Sequence, residues 1–474
     1  MAKRCLTPQP VLQGSRYSTV TLALLLPIVF VLGAFAASLG NAAIYGWAWN
    51  SRRVSPWQLP AEGVQRRTWL DCVPIIGWLR LRRDEPVLGK RFWLRPMLLE
   101  LLFAAYATYF AFHVLFVGSV IEPQLLDLQR FVGVAVDLPA FGALDLTRLA
   151  WDLLPHLVLQ LVLLWLMFVA SVIDCDEKTI PDEVTVPGTL LGLVLVTLLP
   201  MGHLPNVEVR QAPPIVGAEL LRDGEPIATD LGETLWIEPT HVAAPLDWPG
   251  ELAGGPANGT ALGVGLACYG LWCFALTPRY LRLRRGLLFG VSVVLRRVVR
   301  SLRTRPLREI TLGGVLWITS VWYTGGAAWQ GLLTGLVGLV VAGGIVWAVR
   351  IIGSTALGRE AMGFGDVTLM MMVGVYVGWQ AGLLAFFLAP FAGLLVGVLQ
   401  LVLRRDDEIP YGPFLCLATA GLVSQWGRFW PGVEGVFSLT WIVLVVLVVC
   451  LVMLGVLLGV WRVIKERLLG MGDA

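Results

Sequence analysis

The chain has 474 residues, of which 57% are hydrophobic and 15% charged, and its formal net charge is +3. A mean hydropathy of +0.74 and a charged fraction well below the ~25% of soluble domains exclude a soluble globular protein. Apolar runs of about 18–25 residues, in place of short alternating segments, exclude a β-barrel and define an all-α, polytopic membrane protein.

In chain order, the apolar runs predict spans near 19–47, 97–119, 155–174, 184–200, 258–277, 311–325, 329–350, 366–380, 382–403, 411–427 and 438–462, about eleven transmembrane helices, with 311–325 the shortest candidate. The first run is too long for a signal-peptide core and reads as a retained helix. Residues 52–95 hold ten Lys or Arg, and residues 278–309 hold ten Arg, whereas 120–150 and 201–257 are acidic and poor in basic residues. Lys/Arg bias therefore puts the first two stretches in the cytoplasm and the last two outside, with the N-terminus outside and the C-terminus cytoplasmic. Segment 201–257 contains strand-like Val207-Glu208-Val209 and Thr234-Leu235-Trp236-Ile237 and reads as a small extracytoplasmic insertion. Segment 279–309 alternates arginines with apolar clusters, a pattern suited to an amphipathic helix on an anionic leaflet and not to nucleic acid. The seven cysteines form no CxxC pair, and the four histidines are dispersed, so no metal site is expected.

Ionisable groups at the edge of membrane spans tend to be functional. Asp366 follows Gly363-Phe364-Gly365 at the expected cytoplasmic start of a helix, where the helix dipole favours its charge. Asp174 ends the third span at the same depth and on the same side. Two carboxylates held close cannot both ionise cheaply, so one serves as base and the other as acid. Such a dyad activates water for attack on a peptide bond. Asp176 competes with Asp174 for this role, although Asp176 and Glu177 read more simply as solvated loop residues, as does Glu360. Asp182 reads as a helix cap. Gly363 and Gly365 suit either close backbone approach beside Asp366 or plain helix packing.

The pattern Asp174…Ile180-Pro181-Asp182 with Gly363-Phe364-Gly365-Asp366 resembles the type IV prepilin peptidases, the bacterial branch of the GxGD-type intramembrane aspartyl proteases. In that family the first catalytic aspartate stands seven residues before the proline, as Asp174 does before Pro181. Further resemblance lies in Gly374, Gly378-Trp379, Ile409-Pro410-Tyr411-Gly412-Pro413-Phe414, Ser38-Leu39-Gly40-Asn41, Cys72-Val73-Pro74 and Arg95-Pro96…Glu100. The resemblance covers about 1–200 and 326–430. It implies a membrane aspartyl endopeptidase of the inner membrane, acting at the cytoplasmic face on prepilin-like or pseudopilin precursors within the lipid bilayer. Asp174 and Asp366 would be catalytic, with Gly363, Gly365 and Pro181 shaping substrate approach. Proteolysis would need no cofactor, and S-adenosylmethionine would enter only with a retained N-methyltransferase activity.

Two departures stand out. Many bacterial members of the family carry two CxxC pairs, thought to hold zinc, where this chain has Cys72 alone; Thr368 stands where the family usually has Lys. The resulting division is 1–96, a first helix and cytoplasmic loop; 97–200, the first part of the peptidase core; 201–325, an insertion; 326–430, the core with the GxGD motif; and 431–474, an extra C-terminal helix. A presenilin-like or preflagellin-type protease with other substrates, and a transporter moving ions on the paired aspartates, are the alternative readings.

Overall fold

A computed structural model describes residues 13–60, 63–121, 151, 153–208, 221–222, 225–226, 241–243, 247–253, 258–277, 305–358, 360–402, 410–437 and 439–468. The longer helices, numbered in chain order, are α1 (Gln13–Trp47), α2 (Leu94–Phe112), α3 (Leu154–Glu177), α4 (Asp182–Leu198), α5 (Gly259–Ala275), α6 (Arg305–Thr324), α7 (Gly326–Leu357), α8 (Phe364–Val402), α9 (Tyr411–Ser424), α10 (Trp426–Phe437) and α11 (Thr440–Leu468). Six of the apolar stretches in α1, α2, α3, α7, α8 and α11 are long and apolar enough to cross a membrane. The protein is therefore a multi-pass α-helical membrane protein, as its composition requires.

The first half of α8 is the central element. From Asp366 to Ala385 every residue but Leu384 is buried, with α7, α4, α3 and α9 packed around it. Small residues permit this density. Gly338 of α7 and Gly374 of α8 face each other so closely that a Cβ on either would strike the other's backbone. Gly188 and Gly192 of α4 leave room for Met372 and Tyr376. Without water to drive helices together, such close backbone approach is a main source of attraction in a membrane.

The two spans expected at 366–380 and 382–403 follow one another in α8 with a break at Gly378, whose φ of +79° and ψ of 177° are glycine geometry. The break is needed, because 39 helical residues would run ~58 Å at 1.5 Å each, nearly twice the ~30 Å hydrocarbon core. Breaking a helix strands carbonyls, and they must be met. Tyr376 O is met by Gln160 Nε2 at 3.4 Å and by His203 Nδ1 at 3.2 Å. His203 Nε2 lies 3.2 Å from Gly331 O, and His156 Nδ1 lies 3.1 Å from His203 O. Two of the histidines that look dispersed in sequence thus converge as buried ties around the break.

The short candidate at 311–325 is a full helix, α6, beginning at Arg305. It packs with α5 onto α7, and Tyr269 OH donates to Ile310 O at 2.7 Å. Asn206–Glu208 pairs antiparallel with His241–Ala243, consistent with the strand expected near 207–209; residues 234–237 and most of 279–309 lie outside the described residues. Helix α11 runs along α7 and leaves most of its apolar surface outward.

Residues 48–93 form a compact cap on α1 and α2. Glu100 of α2, fully buried, is its hub: Oε1 accepts from Asn41 Nδ2 (3.1 Å) and Trp78 Nε1 (2.8 Å), and Oε2 accepts from Ile75 N (2.6 Å). A buried carboxylate persists only when its lone pairs are so satisfied.

Candidate active site

Asp174 lies in the last turn of α3 and is 3% exposed; Asp366 lies in the first turn of α8 and is 7% exposed. A third element closes the site. The backbone turns at Pro410 (φ −65°, ψ 163°) to start α9, and Gly412 sits in its first turn. A Cβ placed on Gly412 would stand 2.5 Å from Asp174 Oδ2 and 3.3 Å from Asp366 Oδ1. The separation of the two carboxylate oxygens cannot exceed the sum of those distances, and the carboxylates interact electrostatically. Asp174 Oδ2 is buried and finds no hydrogen-bond partner among the described residues.

The Ile180-Pro181 turn supplies the floor. The same Gly412 Cβ would meet Ile180 Cδ1 at 2.9 Å. Pro181 caps α4, its carbonyl accepting from Val184 N at 3.1 Å and Thr185 N at 3.4 Å. Asp182 is therefore not the cap. It is the first helical residue, where its charge faces the positive end of the helix dipole.

The two motif glycines differ. A Cβ on Gly365 would lie 2.9 Å from Ile180 Cβ and 3.3 Å from its N and O, so glycine there lets α8 touch the α3–α4 turn. Gly363 is exposed, and its nearest contact beyond the adjacent backbone would be Asp366 Oδ2 at 3.7 Å, ordinary van der Waals distance. Thr368, buried one turn on, donates to Gly365 O at 3.0 Å.

Arg350 of α7 holds the loop leading into the motif. Its Nε donates to Met362 O at 2.9 Å, its Nη2 binds Glu360, and its guanidinium lies 5.7 Å from the Phe364 ring centroid. Ser354 Oγ accepts from Ala361 N at 3.2 Å. Glu360 lies exposed in this loop, as expected, and its ion pair with Arg350 makes it one anchor of the loop. Asp176 and Glu177 depart from expectation. Helix α3 continues through Glu177, and both side chains are engaged: Asp176 by Arg95, Glu177 by the amides of Trp49 and Asn50. The structure brings Asp174, Asp366, Gly365 and the Ile180-Pro181 turn together, and leaves Gly363 exposed beside Asp366. Gly412, Arg350, Arg95 and Glu177 are the neighbours that reading along the chain does not place; Gly412 and Arg95 carry a signal, the runs Pro410-Tyr411-Gly412-Pro413 and Arg95-Pro96…Glu100.

Among the described residues no three His, Cys, Asp or Glu gather closely enough to hold a metal ion. Cys72 is the one cysteine of residues 48–96, so the thiolate set of a structural zinc site cannot be assembled there. The cap is held instead by ion pairs: Arg67–Asp84 at 2.5 Å and Arg83–Asp71 at 2.7 Å. Burial pushes the Asp71 carboxyl up, but hydrogen bonds from Thr68 and Arg83, with the Arg83 charge, outweigh it and hold the group below the usual carboxylate range.

An α-helical membrane protein with two buried carboxylates converging on one glycine turn is the class that fold and site define. The model of the type IV leader peptidase family matches residues 161–210 and 289–398, segments that contain both aspartates. Over these segments the chain is similar to the type IV leader peptidase family. It is 34% identical over 102 residues to the prepilin leader peptidase/N-methyltransferase of Pseudomonas putida, covering 21% of this chain and 35% of that protein. The protein of the same description from Pseudomonas aeruginosa is 35% identical over 85 residues, 17% of this chain and 29% of its own. That from Pectobacterium carotovorum subsp. carotovorum is 27% identical over 135 residues, 28% and 48% respectively. In the first of these alignments the chain spans about a third of the relative's length. No solved structure matches.

Proposed function

We propose that the protein is an aspartyl endopeptidase that removes the leader peptide of type IV prepilin-like or pseudopilin precursors at the cytoplasmic face of the inner membrane. The observation that carries this reading is the convergence of Asp174 and Asp366 on Gly412. The Lys/Arg bias of residues 52–95 supports a cytoplasmic position for that end of the bundle.

In the reaction one aspartate, ionised, takes a proton from water as the water oxygen bonds to the scissile carbonyl carbon. The other, protonated, gives its proton to the carbonyl oxygen, which forms a neutral gem-diol. The proton held by the first aspartate then passes to the amide nitrogen, the C–N bond breaks, and the second aspartate recovers its proton from the collapsing diol. General acid–base catalysis of this kind contributes about 10²–10⁴-fold per group. The substrate's apolar helix stays in the bilayer, while Gly365 and Gly412, lacking side chains, let α8, α9 and the α3–α4 turn close around the two carboxylates. The relatives' description includes N-methyltransferase. Residues 201–325 are taken as an insertion into the peptidase core; α5 and α6 pack on α7, outside the contacts that form the site.

Mass spectrometry of a candidate pilin's N-terminus, in cells with and without this protein, tests the reading. Leader removal only in its presence is the expected result. A precursor processed equally in both, or in neither, would overturn it.

A further inference from the structure

The two acidic residues beyond Asp174 have no part in the chemistry above, yet both are bound by residues far away in the chain. Arg95 Nη2 donates to both oxygens of Asp176, at 2.7 and 2.9 Å. The two oxygens of Glu177 accept from consecutive backbone amides, Trp49 N at 2.5 Å and Asn50 N at 2.8 Å. Asp174 belongs to the same turn: its carbonyl accepts from Lys178 N at 2.7 Å, and Lys178 closes the helix in the left-handed conformation. Whatever fixes Asp176 and Glu177 therefore fixes the backbone of Asp174.

The partners are themselves fixed. Trp49 and Asn50 directly follow α1, and Arg95 is in the first turn of α2. Asn41 of α1 donates to Pro96 O at 3.0 Å and to the Glu100 hub, which in turn holds Ile75 and Trp78 of the cap. Trp57 Nε1 donates to Ser38 Oγ at 3.0 Å, and Gln58 Nε2 to Ala42 O at 3.1 Å. The cap, α1 and α2 thus form one cross-braced unit, and the end of α3 is docked on it at two points.

Half-exposed ion pairs contribute little to stability, about 0–1 kcal/mol, so Arg95–Asp176 is a poor device for holding the fold. It is a good one for setting geometry, since catalytic carboxylates must be held to a fraction of an ångström. We propose that Asp176 and Glu177 are positioning residues, which dock the end of α3 on the N-terminal unit and so set Asp174 against Asp366. This rests on the peptidase reading above, and it gives residues 48–96 a role that requires no cysteine pairs.

The test uses the full chain in lipid nanodiscs and a prepilin-like precursor. Arg95→Asp and Asp176→Arg, each alone, should lower kcat about tenfold or more by displacing Asp174, with KM within about twofold and thermal stability nearly unchanged. The double variant restores the pair with reversed charge and should recover kcat. Glu177→Gln, which keeps size and weakens both amide bonds, should fall in the same direction. Hydrogen exchange of residues 171–180 gives a readout independent of activity. It should rise in the single variants and return in the double. Unchanged exchange in the single variants overturns the docking. Raised exchange with unchanged kcat overturns the positioning role. A wild-type chain that cleaves no precursor while exchange responds as stated removes the peptidase reading and leaves the docking standing.

Discussion

Replacing Gly412 by alanine is the sharpest steric probe of the site. The new methyl would stand 2.5 Å from Asp174 Oδ2 and 2.9 Å from Ile180 Cδ1, where ordinary contact is 3.4–4 Å. Relief requires Asp174, or the turn at Ile180, to retreat by roughly 1 Å, and misplacement on that scale costs ~10²-fold in rate, about 2.7 kcal/mol of transition-state stabilisation. Overpacking should also lower stability by about 1–3 kcal/mol, small enough for the bundle to survive. The control is Gly421→Ala on the same helix, where an added Cβ meets nothing within 4 Å and a helical Gly→Ala change is mildly favourable. Initial rates of precursor cleavage by the two purified variants, with thermal unfolding measured alongside, decide the matter. Gly412→Ala should lose kcat about 100-fold while Gly421→Ala keeps it. A folded Gly412→Ala protein with wild-type kcat would refute the placement of Gly412 between the aspartates.

Three further outcomes are expected. Gly365→Ala should impair cleavage through its clash with Ile180, whereas Gly363→Ala, whose Cβ meets Asp366 Oδ2 at 3.7 Å, should be tolerated; equal loss in both variants would contradict the distinction. Arg350→Ala removes a charge-assisted bond to Met362 O, worth about 1.5–3 kcal/mol, and an ion pair to the exposed Glu360, worth about 0–1 kcal/mol, so kcat should fall and proteolysis within 360–363 should quicken, with Arg350→Lys intermediate. The cap should resist chelators but not acid. Because the Asp71 carboxyl is held below its ordinary value by Thr68 and Arg83, its contribution is complete above the unfolded value of about 3.9 and is lost as pH falls through the lower folded value. Limited proteolysis of residues 48–93 should therefore accelerate only in that acid range in the wild type. In Asp71→Asn it should be faster already at neutral pH.

The candidate site was legible because it is written in short, local patterns. Asp174 and Pro181 stand seven apart, and Asp366 closes a four-residue motif whose second glycine has one steric job. The supports were not legible, because each joins residues remote in the chain: Glu177 meets amides 127 and 128 positions away. A charged residue at a helix end reads as solvated unless its partner is known, which is why Asp176 and Glu177 read as loop residues although the helix runs through both. The break at Gly378 was displaced by a few residues for a related reason. The run from Val367 to Ala389 is apolar almost throughout, so periodicity carries no mark of where the helix must part. Gly378 shows itself only through its positive φ and the carbonyl that Gln160 and His203 come to meet.

Cleavage of a prepilin-like precursor by the purified protein in liposomes, for the wild type, Asp174→Asn and Asp366→Asn, tests the paired-aspartate mechanism most directly. The wild type should release the leader, and each asparagine variant, folded and with the shape of its side chain kept, should lose about 10²–10⁴-fold in rate. Either variant cleaving at the wild-type rate would contradict the mechanism.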